Sequence, residues 1–291
     1  MTAISHGTIL RRYKGRISGT FLILLVENVL QVAEPFVLGL AVDSLTNGTW
    51  GGVYAFLGVT LAMVVIGTLR RRYDTRVYGG IYQEMSEEVA QRAIETEDDL
   101  SPAIGRASLL KEVVDFFENE LPMGFASVFG IVGALVMLLV LAPPVGLVAA
   151  GAALAIGAIF GLSKGRMIRL NSMLNDEIEA RSRVFMARKR EALTGHFAAV
   201  VKHTVSLSDL EARNFGLSYV FVIGLITYAL YHTVAVMGAP IGSVFSILTY
   251  ASQFAEGVLV LPFMYQQYIR TSEITGRMSQ SAAQDDSRHG G

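Results

Sequence analysis

Apolar residues are concentrated in six long stretches of this chain, and polar residues return between them. The stretches lie at about 18–42, 53–69, 123–142, 145–163, 217–237 and 242–269. A helix of about 20 residues crosses the roughly 30 Å hydrocarbon core of a bilayer and satisfies its backbone hydrogen bonds internally. The pattern therefore predicts six transmembrane helices. The first stretch is too long for the apolar part of a signal peptide, so we interpret it as a retained helix.

The basic residues all lie on one side of the predicted helices. The 24 Lys and Arg residues fall in the N-terminal segment, the two long connections and the C-terminal segment. The short connections 43–52, 143–144 and 238–241 contain none of them. Because Lys and Arg are retained on the cytoplasmic side, both termini are expected to be cytoplasmic.

The two cytoplasmic connections, 70–122 and 164–216, are each 53 residues long, which is too long for plain loops. In the first, apolar residues recur every three to four positions over 109–121, which predicts an amphipathic helix. In the second, an apolar face bordered by arginines predicts that the fourth membrane helix continues into the cytoplasm. The short second stretch can likewise continue as helix beyond Arg70.

Helix breaks are predicted at Ser101-Pro102 and near Gly195. Each long connection then consists of two helical legs joined by a turn. About 25 residues of helix project on the order of 35 Å from the bilayer. Legs of matching length suggest a platform that contacts a soluble partner, although extensions that merely stabilise the bundle are the alternative.

Composition agrees with a polytopic membrane protein, because 52% of the residues are apolar and the mean hydropathy is +0.46. The net charge of −1 gives no reason to expect a nucleic acid partner. Cysteine is absent, which excludes disulfides and thiolate metal sites. No other spacing of residues indicates a metal site.

Acidic and amide side chains inside the predicted helices are the candidate site for a substrate or proton pathway. Glu27, Gln31 and Glu34 lie on one stripe of the first helix, and Gln253 and Glu256 lie in the sixth. An ionised side chain facing lipid at the bilayer centre costs about 2.5–3.5 kcal/mol. Since the stretches contain no Lys or Arg, we expect these side chains to be protonated or to line a wet cavity. Hydrogen bonding between helices, with a purely structural role, is the alternative.

Other polar residues receive structural interpretations. The basic run 70–72 is attributed to contacts with anionic lipid head groups. Asp43 is expected to cap the end of its own helix, and His196 and His203 are expected to be solvated.

Several segments, taken in order, are similar to one known architecture. They are 34–43, Gly105-Arg106, 191–195, and the last helix from Gly242 through Phe245, Tyr250, Gln253 and Pro262. Together with the topology, they resemble the transmembrane domain of an ABC exporter with six helices and long intracellular loops. The resemblance implies an all-α membrane protein with two long cytoplasmic helical extensions. It covers nearly all of a single domain at 1–278, and residues 279–291 are expected to form a flexible polar cytoplasmic tail.

The resemblance also implies turns that couple to an ATPase. The residues at these turns are Glu97, Asp98, Asp99, Arg106, Glu191 and Gly195. The chain departs from the family in having no nucleotide-binding domain after the sixth helix and no phosphate-binding Gly-x-x-x-x-Gly-Lys-Ser/Thr motif. The chain is therefore not expected to be an enzyme or to hold a cofactor, and ATP would act only through a partner subunit.

The leading hypothesis is an integral multi-pass transport protein of a cell or inner membrane. It would work as a homodimer, moving a small amphipathic or hydrophobic solute by alternating access with a separately encoded ATPase. Two alternatives stay open: a proton-coupled transporter without an ATPase, and a non-transporting scaffold or assembly subunit.

Overall fold

The computed structural model describes residues 10–95, 110–111, 114–186 and 189–261. Within these residues there are six long helices. They are α1 (Lys14–Thr46), α2 (Gly51–Glu95), α3 (Leu121–Leu141), α4 (Pro143–Met186), α5 (Arg190–Tyr231) and α6 (Ile241–Leu261). A π-helical turn at Phe116–Glu120 leads into α3, and another at His232–Val236 follows α5. All six helices are long and apolar enough to cross a membrane, so the predicted number is confirmed.

One compact unit contains α1, α2, α6 and the chain up to Val136. Its buried apolar cluster joins the start of α1, the extension of α2 and the segment before α3. The members are Tyr13, Ile17, Val77, Tyr78, Ile81, Met85, Leu110, Val114, Phe116 and Phe117. Lys111 is exposed beside them, as the amphipathic pattern predicts. This cluster explains why α2 stays helical beyond Arg70, because the extension buries an apolar face there.

Hydrogen bonds from side chains to backbone hold α1 against α6 within this unit. Pro35 interrupts the hydrogen-bond ladder of α1, since it has no N–H group. In the same turn, the Pro35 carbonyl accepts a hydrogen bond from Ser246 at 2.8 Å, and the Val32 carbonyl accepts one from Tyr250 at 2.6 Å. The two helices run antiparallel, because residue numbers rise along one as they fall along the other.

The second unit, Met137–Met237, contains α4 and α5. Pro143 begins α4, a position that suits proline because the first helical N–H has no intrahelical partner. The 44 residues of α4 span about 66 Å, which exceeds a bilayer core by about 35 Å. The predicted continuation of this helix beyond the apolar stretch is confirmed.

The predicted break near Gly195 is wrong. Residues 190–231 form one continuous helix that passes through Gly195, whereas the backbone is extended at Lys189, with φ −100° and ψ 123°. A single glycine costs a helix only about 1 kcal/mol relative to alanine, which the surrounding turns easily offset. The predicted turn at Ser101-Pro102 and the tail at 279–291 lie outside the described residues.

Candidate functional site

Arg70 of α2 lies between two carboxylates. Its Nε donates a hydrogen bond to Glu27 of α1, and its Nη1 donates to Asp74 Oδ2 at 3.0 Å. The side chains of Arg70, Glu27 and Asp74 are 21%, 24% and 5% exposed. The expectation that no basic residue neutralises Glu27 is therefore wrong, and so is the assignment of Arg70 to lipid head groups. Arg70 stands one residue beyond the apolar stretch, and its long side chain reaches back into the helix pair.

The face of α2 that meets Glu27 leaves space for its carboxylate. Gly67, Arg70 and Asp74 follow one another at intervals of three and four residues, which places them on one side of the helix. A Cβ atom at Gly67 would lie 3.0 Å from Glu27 Oε1, so glycine leaves room for the carboxylate. A small residue, a base and an acid on one helical stripe is a sequence signal that could have indicated the pairing.

Two buried hydroxyl groups lie beside Asp74. Thr20 Oγ1 is close to both the Asp74 carboxyl and the Tyr78 phenol. None of Asp74 Oδ1, Thr20 Oγ1 and Tyr78 OH completes a hydrogen bond of good geometry within the described part of the chain. We call Glu27, Arg70, Asp74, Thr20 and Tyr78 the Arg70 cluster. It joins the middle of α1 to the point where α2 leaves its apolar stretch.

The other residues of the predicted pathway do not contact this cluster. Gln31 and Glu256 are exposed, Glu34 and Gln253 are half-buried, and none of the four has a hydrogen bond or ion pair within the residues that the structure describes. The hydrogen bonds between α1 and α6 place Glu256 at nearly the same depth as Glu27. The Glu27 and Glu256 carboxylates therefore lie at a similar depth along the helices but do not contact each other.

Asp43 caps a different helix from the one predicted. Its Oδ1 accepts a hydrogen bond at 2.7 Å from the backbone N–H of Gly242, at the start of α6. The first N–H groups of a helix lack intrahelical partners and attract a carboxylate, whereas the C-terminal end of α1 repels one. The own-helix cap is therefore a wrong assignment.

His196 is buried rather than solvated. Its Nδ1 lies 2.7 Å from Glu177 Oε1 across the α4–α5 pair, and its ring lies against Phe197 at 5.3 Å between centroids. The prediction failed because the two legs cover each other here. His203 is half-buried, and Glu191 and Gly195 are exposed on the first turns of α5. The other predicted coupling residues, at 97–99 and Arg106, lie outside the described ranges.

Ion pairs tie the beginning of α1 to the extension of α2. Arg12 donates to Glu88 at 2.8 Å, and Arg16 donates to Glu84 at 2.7 Å. The hydrogen bond to Glu88 raises the pKa of Arg12, and burial raises the pKa of the neighbouring Tyr13. Because both ion pairs are largely exposed, water screens them and they contribute little to the stability of the fold. They align the helices rather than hold them.

A family model described as ABC transporter transmembrane region matches residues 7–242. The chain belongs to this family. The match covers α1 to α5, reaches the start of α6 and includes the whole Arg70 cluster. Comparison with curated proteins finds no match.

The ABC transporter transmembrane region and the six long apolar helices make this chain an integral multi-pass membrane protein with a role in transport. The earlier resemblance to an ABC exporter membrane domain, and the all-α fold that it implies, are confirmed. The family describes the transmembrane region of a transporter rather than a catalytic domain.

Proposed function

We propose that the chain is the transmembrane subunit of an ABC-type transporter and that a separately encoded ATPase drives it. The family match over residues 7–242 carries the proposal. It supports a transport subunit, and no phosphate-binding motif occurs in the sequence.

The legs of α4 and α5 support a soluble partner. At 44 and 42 residues, both helices are about twice as long as a bilayer requires. Their cytoplasmic ends are tied together by His196 and Glu177. Glu191 lies exposed at the end of this paired extension, where an ATPase would dock.

The placement of polar side chains on α6 supports a homodimer. Glu256 is exposed in the single chain although it lies in a helix that is apolar enough to cross a membrane. Facing acyl chains would cost an ionised carboxylate several kcal/mol, about 2.5–3.5 by insertion scales. A second copy of the chain would enclose Glu256 and Gln253 together with the Gln31 and Glu34 stripe of α1.

The enclosed space would take a small amphipathic or hydrophobic solute and release it on the other side by alternating access. The half-buried carboxylate of Glu34 and the amides of Gln31 and Gln253 would contact polar or cationic groups, and the apolar helix faces would contact the remainder. The solute class is inferred from this mixture of side chains.

The partner is tested by purifying the chain from its native membrane in a mild detergent. We expect an ATPase to co-elute, and we expect Glu191→Lys to weaken that association while Glu211→Lys, an exposed glutamate further along α5, leaves it unchanged. Equal effects of the two substitutions would move the docking site elsewhere.

The pathway is tested in liposomes that contain the purified transporter. Replacing Glu34 and Glu256 with Gln should abolish solute flux and leave assembly intact, because neither carboxylate has an ion pair within the described residues. Flux driven by a proton gradient without any ATPase would replace the ATP-driven proposal with the proton-coupled one. Absence of flux with either energy source would favour a non-transporting scaffold.

A further inference from the structure

The charges of the Arg70 cluster do not balance. Glu27 and Asp74 can each carry a negative charge, and Arg70 is the single basic side chain that pairs with either of them in the described part of the chain. With both carboxylates ionised the cluster has a net charge of −1. All three side chains are more than three quarters buried. Burying an uncompensated charge is costly, and proteins commonly avoid the cost by taking up a proton.

The two oxygens of Asp74 have different surroundings. Oδ2 accepts a hydrogen bond from Arg70, whereas Oδ1 is buried and completes no hydrogen bond of good geometry. The hydroxyls of Thr20 and Tyr78 beside it are also buried, and they too complete no hydrogen bond of good geometry within the described residues. An ionised carboxylate accepts hydrogen bonds but cannot donate one. With a proton on Oδ1, Asp74 becomes a donor, and the Thr20 hydroxyl beside the carboxyl, which can donate to the ionised form, can turn to accept.

We propose that the Arg70 cluster is a proton-binding site and that Asp74 carries the proton. A hydronium ion gives up a proton, so that one of its O–H bonds breaks as an O–H bond forms at Asp74 Oδ1; a water molecule leaves, and the net charge of the cluster changes from −1 to 0. Arg70 then pairs with the one remaining carboxylate, Glu27, across α1 and α2. Proton release returns Arg70 to a position shared between the two acids.

The surrounding charged groups favour uptake at Asp74. From α1, Glu27 adds a like charge, and from the π-helical turn before α3 the field of Glu118 reaches Tyr78. The guanidinium groups of Arg12 and Arg16, at the beginning of α1, are engaged by Glu88 and Glu84. A hydrogen bond from the Thr20 hydroxyl and the charge of Arg70 oppose protonation of Asp74, and Arg70 is already held by Glu27. This proton site goes beyond the proposed transport function, because Asp74 would bind a proton whether ATP or a proton gradient drives transport.

Infrared spectroscopy of the full chain in liposomes tests the protonation state directly. At neutral pH, the difference spectrum between wild type and Asp74→Asn should contain one carbonyl band of a protonated carboxyl group, which moves in D₂O. The matched control is Asp209→Asn, which removes an exposed aspartate of α5 and should give no such band.

A second variant keeps the test decisive if Asp74→Asn does not fold. Thr20→Val removes the proposed acceptor without changing any charge, and it should shift the Asp74 band without abolishing it. Absence of a protonated-carboxyl band in both difference spectra would overturn the proposal. The proposal would also be wrong if sodium ions at constant pH changed the carboxylate bands of wild type but not of Asp74→Asn, because the site would then bind a metal cation.

Discussion

Arg70 donates hydrogen bonds to two acidic side chains between α1 and α2. It contacts Glu27, which lies 43 positions earlier in the chain, and Asp74, one turn further along its own helix. Both contacts are charge-assisted, and hydrogen bonds of this kind are about twice as strong as neutral ones. Arg71 and Arg72, its neighbours in sequence, are exposed. A run of three arginines therefore contains one structural residue and two surface residues.

Replacing Arg70 should be far more harmful than replacing its neighbour. Arg70→Met leaves the partly buried carboxylates without their donor, and we expect a loss of about 2–3 kcal/mol in the free energy of unfolding. Arg71→Met, the matched control, should change it by less than about 0.5 kcal/mol. Denaturation of both variants in the same detergent measures the difference. Similar losses would show that Arg70 does not hold the cluster together.

At the residue level, the sequence could predict how side chains are arranged around a single helix. The stripe of Glu27, Gln31 and Glu34 follows from the helical repeat. The partner of Glu27 could not be derived in the same way, because periodicity gives the face of a helix and not the helix that it meets. His196 failed for the same reason, since its burial depends on Glu177 and Phe197 from both legs.

At the scale of elements, α1 and α6 approach each other most closely near Gly39 and Gly242. A Cβ atom at Gly39 would lie 2.5 Å from the Gly242 carbonyl oxygen and would also overlap Ser246. The absence of side chains lets the backbones meet, and the Asp43 cap closes the contact at the start of α6.

Enlarging Gly39 should separate these helix ends. We expect Gly39→Ala to cost about 1–3 kcal/mol, because the added methyl group meets backbone that cannot move away easily. Gly130→Ala on α3 is the control, since nothing lies within 4 Å of its added Cβ. Thermal unfolding in detergent compares the two variants, and an equal decrease in Tm would contradict the close contact.

The paired legs of α4 and α5 depend on a second buried contact. His196→Ala removes the partner of Glu177 and leaves space beside Phe197, at a cost of about 1–2 kcal/mol. Amide hydrogen exchange around 177–197 should then become about tenfold faster. His203→Ala, which removes a histidine with no hydrogen bond or ion pair in the described residues, should leave exchange there unchanged. Unchanged exchange in His196→Ala would show that the pair does not hold the legs together.

Helix number and length could be read from the sequence because both depend on local hydrophobicity. Leu110, Val114 and Phe117 are buried as their spacing predicts, and α2 and α4 extend as expected. The position of the turn between α4 and α5 could not be read in this way. Gly195 looked like a helix breaker, but the neighbouring residues on both sides favour helix, and the extended backbone falls at Lys189 instead.

For the whole molecule, the distribution of basic residues predicts which ends of the helices face the cytoplasm. The absence of cysteine makes this orientation easy to measure. A cysteine at Thr49, between α1 and α2, should react with a membrane-impermeant maleimide from outside the cell. One at Lys202 in the α5 leg should react only after the membrane is opened, and the cysteine-free wild type gives the background. The reverse pattern of labelling would invert the topology.

Tyr250 and Ser246 bind carbonyl groups of α1, not its side chains. Each of these bonds would have to be given up in a dry environment if α1 and α6 slid apart, and neither carbonyl has water at hand to replace it. We therefore expect α1 and α6 to move together as one rigid body during any conformational cycle. The relative motion that opens and closes the transporter must then occur between other helices. We expect it between α1 and α2, where the Arg70 guanidinium can change its pairing between Glu27 and Asp74.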